Sequence, residues 1–179
     1  MAVVGVGFVK MTRSTPQGSE VAIELLGPTQ CLGVIVAIEG REYPLGAVAV
    51  TNCWYLKIPT AAFMEVYNSN PQLRDQLLRG LGPRLRKAHD MMARMSSGKI
   101  EQRLAAVLLI LMDSYGKPYG KGMQIAVPLT RQDLSEMAGT TTETAIRIMS
   151  RWQKDGWINT EKQLITIVDE QSISATLVM

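Results

Sequence analysis

Leu129 to Trp157, LTRQDLSEMAGTTTETAIRIMSRWQKDGW, decides how this chain folds. Thr130-Arg131-Gln132-Asp133 opens a short helix: the Thr130 hydroxyl can accept from an orphan amide while the Asp133 carboxylate reaches back to the helix start. Leu134 and Met137 then face inward, and Gly139 supplies the left-handed backbone that a tight stop between two helices needs. A second start follows at Thr140-Thr141-Thr142-Glu143, a capping box with Thr140 as the cap, although Thr141 would serve nearly as well. That helix runs through Thr144 to Trp152 and ends at Gly156. Ala145, Ile148, Met149 and Trp152 recur three and four residues apart and predict its buried stripe.

Thr142, Glu143, Ile146, Arg147 and Ser150 fall on or near the opposite face. A helix that carries such side chains in its first turns is suited to major-groove base edges. Arg147 can bond guanine O6 and N7 together, and Glu143 can accept from a cytosine amino group. The same spacing also permits an intrahelical Glu143–Arg147 ion pair on a solvated face, which stabilises by only about 0.3 kcal/mol. The strand Met123 to Val127 leads into this segment. Trp157 to Asn159 and Gln163 to Val168, joined across Thr160-Glu161-Lys162, read as a hairpin wing behind it. Strand, helix, turn, helix and hairpin in this order predict a DNA reader.

Upstream, the first ~58 residues read as β structure without helix. Val3 to Met11 is rich in valine, and Thr15-Pro16-Gln17-Gly18 is a turn. Glu20 to Leu25 alternates until Gly27-Pro28, Gly40 marks another turn, and Ala47 to Val50 and Cys53 to Ile58 complete a small β-roll. Helices begin at Thr60, read as the cap of Ala61 to Tyr67, and at Asn70-Pro71, where proline takes its favoured first position. Leu78, Leu81, Leu85, Ala88, Met92 and Met95 repeat as a coiled-coil seam and imply a homodimer; the alternative is a helix packed on its own β-roll. Pro83 predicts a kink or break near Leu81. Ser96-Ser97-Gly98 reads as a hinge, and Ile100 to Tyr115 as an apolar helix with Leu104, Val107, Leu108 and Leu111 inside. Gly116 to Gly122 reads as a link, and the tail after Asp169 as weakly patterned and mobile. The domains so predicted are 1–70, 71–98 and 99–179.

Composition narrows the function classes. Of 179 residues, 46% are hydrophobic and 20% charged, and no apolar run approaches the ~20 residues of a membrane span. With no secretion signal at the N-terminus, the expected compartment is the cytoplasm. Cys31 and Cys53 have no close Cys or His neighbours, so no zinc or iron–sulfur site is read, and both are expected to be reduced and mostly buried. The net charge of +3 lies in the C-terminal part: up to Pro83 six Lys and Arg balance six Asp and Glu. Arg84, Arg86, Lys87, Arg94, Lys99, Arg103, Arg131, Arg147, Arg151, Lys154 and Lys162 follow, where nucleic acid would lie. The single histidine, His89, reads as a polar helix-face residue. No phosphate loop or nucleophile–base arrangement appears, so no catalytic residue, cofactor or metal is assigned.

With these pieces in order, the chain resembles the bacterial transcription regulators typified by the cyclic-AMP receptor protein and the fumarate-and-nitrate-reduction regulator, the Crp/Fnr family. The resemblance rests on Arg103-Leu104-Ala105, Gly122-Met123-Gln124-Ile125, Leu129 to Leu134, and Gly139 to Thr144 with Arg147. The turns Leu26-Gly27-Pro28 and Glu39-Gly40-Arg41 add to it. It implies an α+β fold: a partial cyclic-nucleotide-binding-like jelly roll shortened at its start, a long dimerisation helix and a C-terminal winged helix-turn-helix. It also implies double-stranded DNA and RNA polymerase as partners. Glu143 and Arg147 would read base edges, Thr142 and Arg151 would lie against bases or phosphates, and Thr130 and Arg131 would anchor the backbone. In cyclic-nucleotide-binding members a Gly-Glu pair and an Arg-Ser or Arg-Thr pair grip the ligand; here Gly33-Val34 and Tyr43-Pro44 stand at the matching sites, so no tight cyclic-AMP binding is expected. The competing reading is a ligand-sensing or protein-interaction module whose reader-like half is a docking surface.

Overall fold

The computed structural model describes residues 1–15 and 20–177, without the side chains of 94–97. The chain forms two compact units, Met1–Arg86 and Lys87–Met179. In the first, β1 (Ala2–Val6), β2 (Val9–Ser14), β3 (Glu20–Leu26), β4 (Cys31–Leu32), β5 (Gly46–Ala49) and β6 (Trp54–Lys57) build two antiparallel sheets, ordered β4-β1-β6 and β3-β2-β5. Their apolar faces bury Val4, Val9, Met11 and Leu26. The register slips between Val4 and Val6, where the Trp54 ring lies so close over Gly5 that a β-carbon there would collide with it.

The roll is not helix-free. Val34–Glu39 forms α1, framed by Gly33 and Gly40, both with left-handed backbone. Val34-Ile35-Val36 is β-branched and favours a strand locally, but burial of Val34 and Ala37 against Phe63 of α2 (Thr60–Ser69) overrides that preference. Thr60 is the first residue of α2 rather than its cap; Pro59 holds the cap position without a side-chain bond. Cys31 and Cys53 are half-buried rather than mostly buried, and both are free.

The long helix α3 (Pro71–Ser97) begins where Asn70 Oδ1 accepts from the Leu73 amide at 2.9 Å. No break occurs at Pro83: a helix of 27 residues absorbs the one hydrogen bond that proline removes, flanked as it is by regular turns on both sides. Its backbone stays helical through Ser97, so the interruption falls at Gly98 and Lys99 alone.

In the second unit, α4 (Ile100–Tyr115) buries Leu104, Val107, Leu108 and Leu111 as the periodicity predicts. The segment after it is a strand, β7 (Gly116–Tyr119), hairpinned to β8 (Gly122–Ile125); its glycine and proline content conceals the pairing. With β9 (Ile158–Glu161) and β10 (Leu164–Ile167) these strands form one sheet, ordered β7-β8-β10-β9. The wing turns at Lys162-Gln163, both with positive φ, one step later than Thr160-Glu161-Lys162. The described part of the tail, up to residue 177, holds a helix: Asp169 caps α7 (Glu170–Ala175) and Ile173 is fully buried. The fold is α+β, a two-sheet roll in the first unit and a C-terminal winged helix-turn-helix in the second. No described helix is long and apolar enough to cross a membrane.

Candidate nucleic-acid interface

Helix α5 (Arg131–Ala138) starts at a full capping box. Thr130 Oγ1 accepts from the Asp133 amide at 3.1 Å, and Asp133 Oδ2 accepts from the Thr130 amide at 2.9 Å and from its hydroxyl at 2.6 Å. At the other end Gly139 takes φ 60° and ψ 50°, closing α5 and turning the chain. The Thr140 amide donates to the Ser135 carbonyl, which makes Thr140 part of that closure. The cap of α6 (Thr142–Lys154) is therefore Thr141, whose hydroxyl accepts from the Thr144 amide at 3.3 Å.

Ala145, Ile148, Met149 and Trp152 are buried along one face of α6, packed toward α5 and β9, which fixes what the other face can do. Glu143, Ile146, Arg147 and Ser150 are exposed together on it. Among the described residues no ion pair joins Glu143 to Arg147. The Glu143 carboxyl is held below the usual glutamate range by its own backbone amide and then by the Thr141 hydroxyl, so it is anionic at neutral pH. Among the described residues Arg147 thus presents an unpaired guanidinium one turn from a carboxylate held at the helix start.

The remaining sequence-chosen residues have neighbours within the fold. Thr142 is half-buried, its hydroxyl 3.3 Å from that of Ser135. The Thr130 hydroxyl is engaged in the capping box. Arg131 donates from Nη2 to Thr160 Oγ1 of the wing at 3.1 Å, and burial lowers its pKa. Arg151 is ion-paired with Glu101 of α4, whose Oε1 also accepts from Trp152 Nε1 at 3.1 Å. The Glu101 contact was missed in sequence because it joins residues fifty positions apart with no motif between them.

On α3, Leu78, Leu85 and Met92 are 69%, 58% and 59% exposed, Leu81 is half-buried and Ala88 exposed; the Met95 side chain lies outside those described. His89 is exposed. In the roll unit a cavity of about 730 Å³ is lined by Val9, Leu32, Val36, Ala37, Ala47 and Ala49 with Tyr43 and Tyr55. Its cationic side chains are Arg41, 77% exposed beside Glu39, and the exposed Lys57.

Two family models match the chain: a cyclic nucleotide-binding domain over residues 1–70 and a Crp-like helix-turn-helix domain over residues 102–175. Among curated relatives, the CRP-like cAMP-activated global transcriptional regulator of Mycobacterium tuberculosis is 24% identical over 94% of this chain and 75% of its own length. The global nitrogen regulator of a Nostoc species is 29% identical over 90% of this chain and 73% of its own. Among solved structures, FixK2 from Bradyrhizobium japonicum superposes with a TM-score of 0.84 at 19% identity, covering 98% of this chain and 85% of that one. A CRP-family transcriptional regulator from Thermus thermophilus gives 0.80 at 18% identity, covering 99% and 87%.

Proposed function

The chain belongs to the Crp/Fnr family of transcription regulators, and from that premise we propose that it binds an inverted-repeat operator as a homodimer, without requiring cyclic AMP. The observation that carries the reading is the division of α6: four residues anchored in the core, and Glu143, Ile146, Arg147 and Ser150 together in solvent. Arg147 takes a guanine edge and Glu143 a cytosine amino group. Thr142 flanks them, while Thr130 and Arg131 carry the α5 end and the wing against the phosphate backbone. The exposed seam of α3 supplies the two-fold contact. The working parts are then residues 1–70, 71–98 and 99–179, in the cytoplasm, with RNA polymerase as a further partner.

Cyclic-AMP independence is supported by the roll. A cyclic phosphate must be met by a cation or a nest of amides to offset its desolvation. Val34 is buried at the start of α1, Tyr43 lines the cavity, and the two cationic side chains of the lining, Arg41 and Lys57, lie out in solvent.

Selection of bound sequences from random duplex DNA, with purified protein and no added ligand, tests these elements together. The expected product is a palindrome with half-sites one helical turn, about 34 Å, apart. Enrichment of no sequence, or only in the presence of cyclic AMP, overturns the reading.

A further inference from the structure

Arg147 and Arg151 stand one helical turn apart on α6, yet their surroundings differ. Arg147 has no hydrogen bond or ion pair among the described residues, whereas Arg151 lies against the Glu101 carboxylate. That carboxylate is not free to follow Arg151 outward. Its Oε1 is the acceptor for the indole N–H of Trp152, a side chain with no solvent exposure, and withdrawing it would leave a buried donor without a partner. The helix ends reinforce the arrangement: Glu101 sits in the first turn of α4 and Arg151 in the last turn of α6, each at the end its charge favours.

Resting on the DNA-binding reading above, we propose that Glu101 is a positioning residue of the reader: anchored by Trp152, it holds the Arg151 guanidinium against α4 and outside the set of cations that meets DNA. Of the two arginines on α6, Arg147 alone is then offered to a duplex. Glu101 limits sequence-independent attraction to phosphate and leaves discrimination to base contacts, since each added phosphate contact strengthens binding to every sequence alike.

The experiment measures binding to a random duplex over a range of salt concentrations for the parent, Glu101→Gln, Arg151→Ala and the double variant. Glutamine keeps an acceptor for Trp152 and removes the charge. Glu101→Gln is expected to steepen the slope of log affinity against log salt by about 0.9 and to tighten random-duplex binding roughly three- to tenfold at low salt. Arg151→Ala is expected to cancel that gain in the double variant while leaving the parent's slope unchanged. A slope that Arg151→Ala lowers by about 0.9 in the parent places Arg151 on phosphate already and overturns the proposal. An unchanged slope in folded Glu101→Gln overturns it equally. If Glu101→Gln does not fold, the single Arg151 variant decides by the same criterion. Failure of the parent to bind any duplex strikes the regulator reading instead. The pairing is then judged without DNA, by the Trp152 indole proton resonance: a shift in Arg151→Ala supports it and no shift overturns it.

Discussion

Thr140, Thr141 and Thr142 offer three equivalent hydroxyls at the start of α6, and the backbone chooses among them. The Thr140 amide is spent on closing α5, so the chain is not extended until Thr141, whose ψ of 154° is that of a cap. Thr141→Ala is expected to lower stability by about 1 kcal/mol and Thr140→Ala by much less, as thermal or denaturant unfolding would read. The same hydroxyl acts on Glu143. Its folded pKa is depressed, so any stability it contributes is complete above the unfolded value of about 4.3 and disappears as pH falls through the lower folded value. A carboxyl titration followed by NMR should place the Glu143 midpoint below that of a model glutamate and move it upward in Thr141→Ala. For Arg147, the free guanidinium predicts a specific loss: Arg147→Ala should cost about 1–3 kcal/mol on the selected operator and relax one base position, with random-duplex binding changed far less. Equal losses on both duplexes would make Arg147 a phosphate contact.

Elements were legible in proportion to the length of their pattern. The stripe Ala145, Ile148, Met149, Trp152 and the run Leu104, Val107, Leu108, Leu111 each repeat over about two turns inside helices of 13 and 16 residues, enough for periodicity to specify both the helix and its buried side. Six-residue helices give too few repeats. In α1 the β-branched residues argue for a strand, and two left-handed glycines mark its ends without revealing what lies between. In α7 a single apolar anchor, Ile173, carries the packing against α4. Because that anchor is fully buried, Ile173→Ala should cost roughly 2–5 kcal/mol in unfolding of the chain. A loss below about 0.5 kcal/mol, the range of surface changes, would mean that the last helix detaches without consequence. The reader face was legible as a set of residues; the commitments of Arg131 to Thr160 and of Arg151 to Glu101 were not, since each depends on tertiary neighbours remote in sequence.

For the whole molecule the decisive question is what covers α3. Leu77 packs on the small core of Val34, Ala37 and Phe63, and Arg84 is clamped by Glu24 of β3 through bonds of 2.8 and 2.5 Å, so this helix already has a face committed to the roll. Leu78, Leu85 and Met92, seven residues apart, remain more than half exposed. Three large apolar side chains in heptad register are the pattern that a second copy of the same helix buries, and the pair so formed has a two-fold axis, the symmetry of an inverted repeat. Leu85→Glu introduces a carboxylate at an exposed position, where it should spare the protomer's core and face its own copy across the seam. Sedimentation should then report a monomer with a helical circular dichroism spectrum like the parent's. Operator affinity should fall by about 100-fold or more, because the second half-site is no longer bound in the same encounter, while affinity for an isolated half-site should persist. A Leu85→Glu protein that remains dimeric and keeps its operator affinity would exclude this seam as the interface, and with it the geometry by which two α6 helices reach one palindrome.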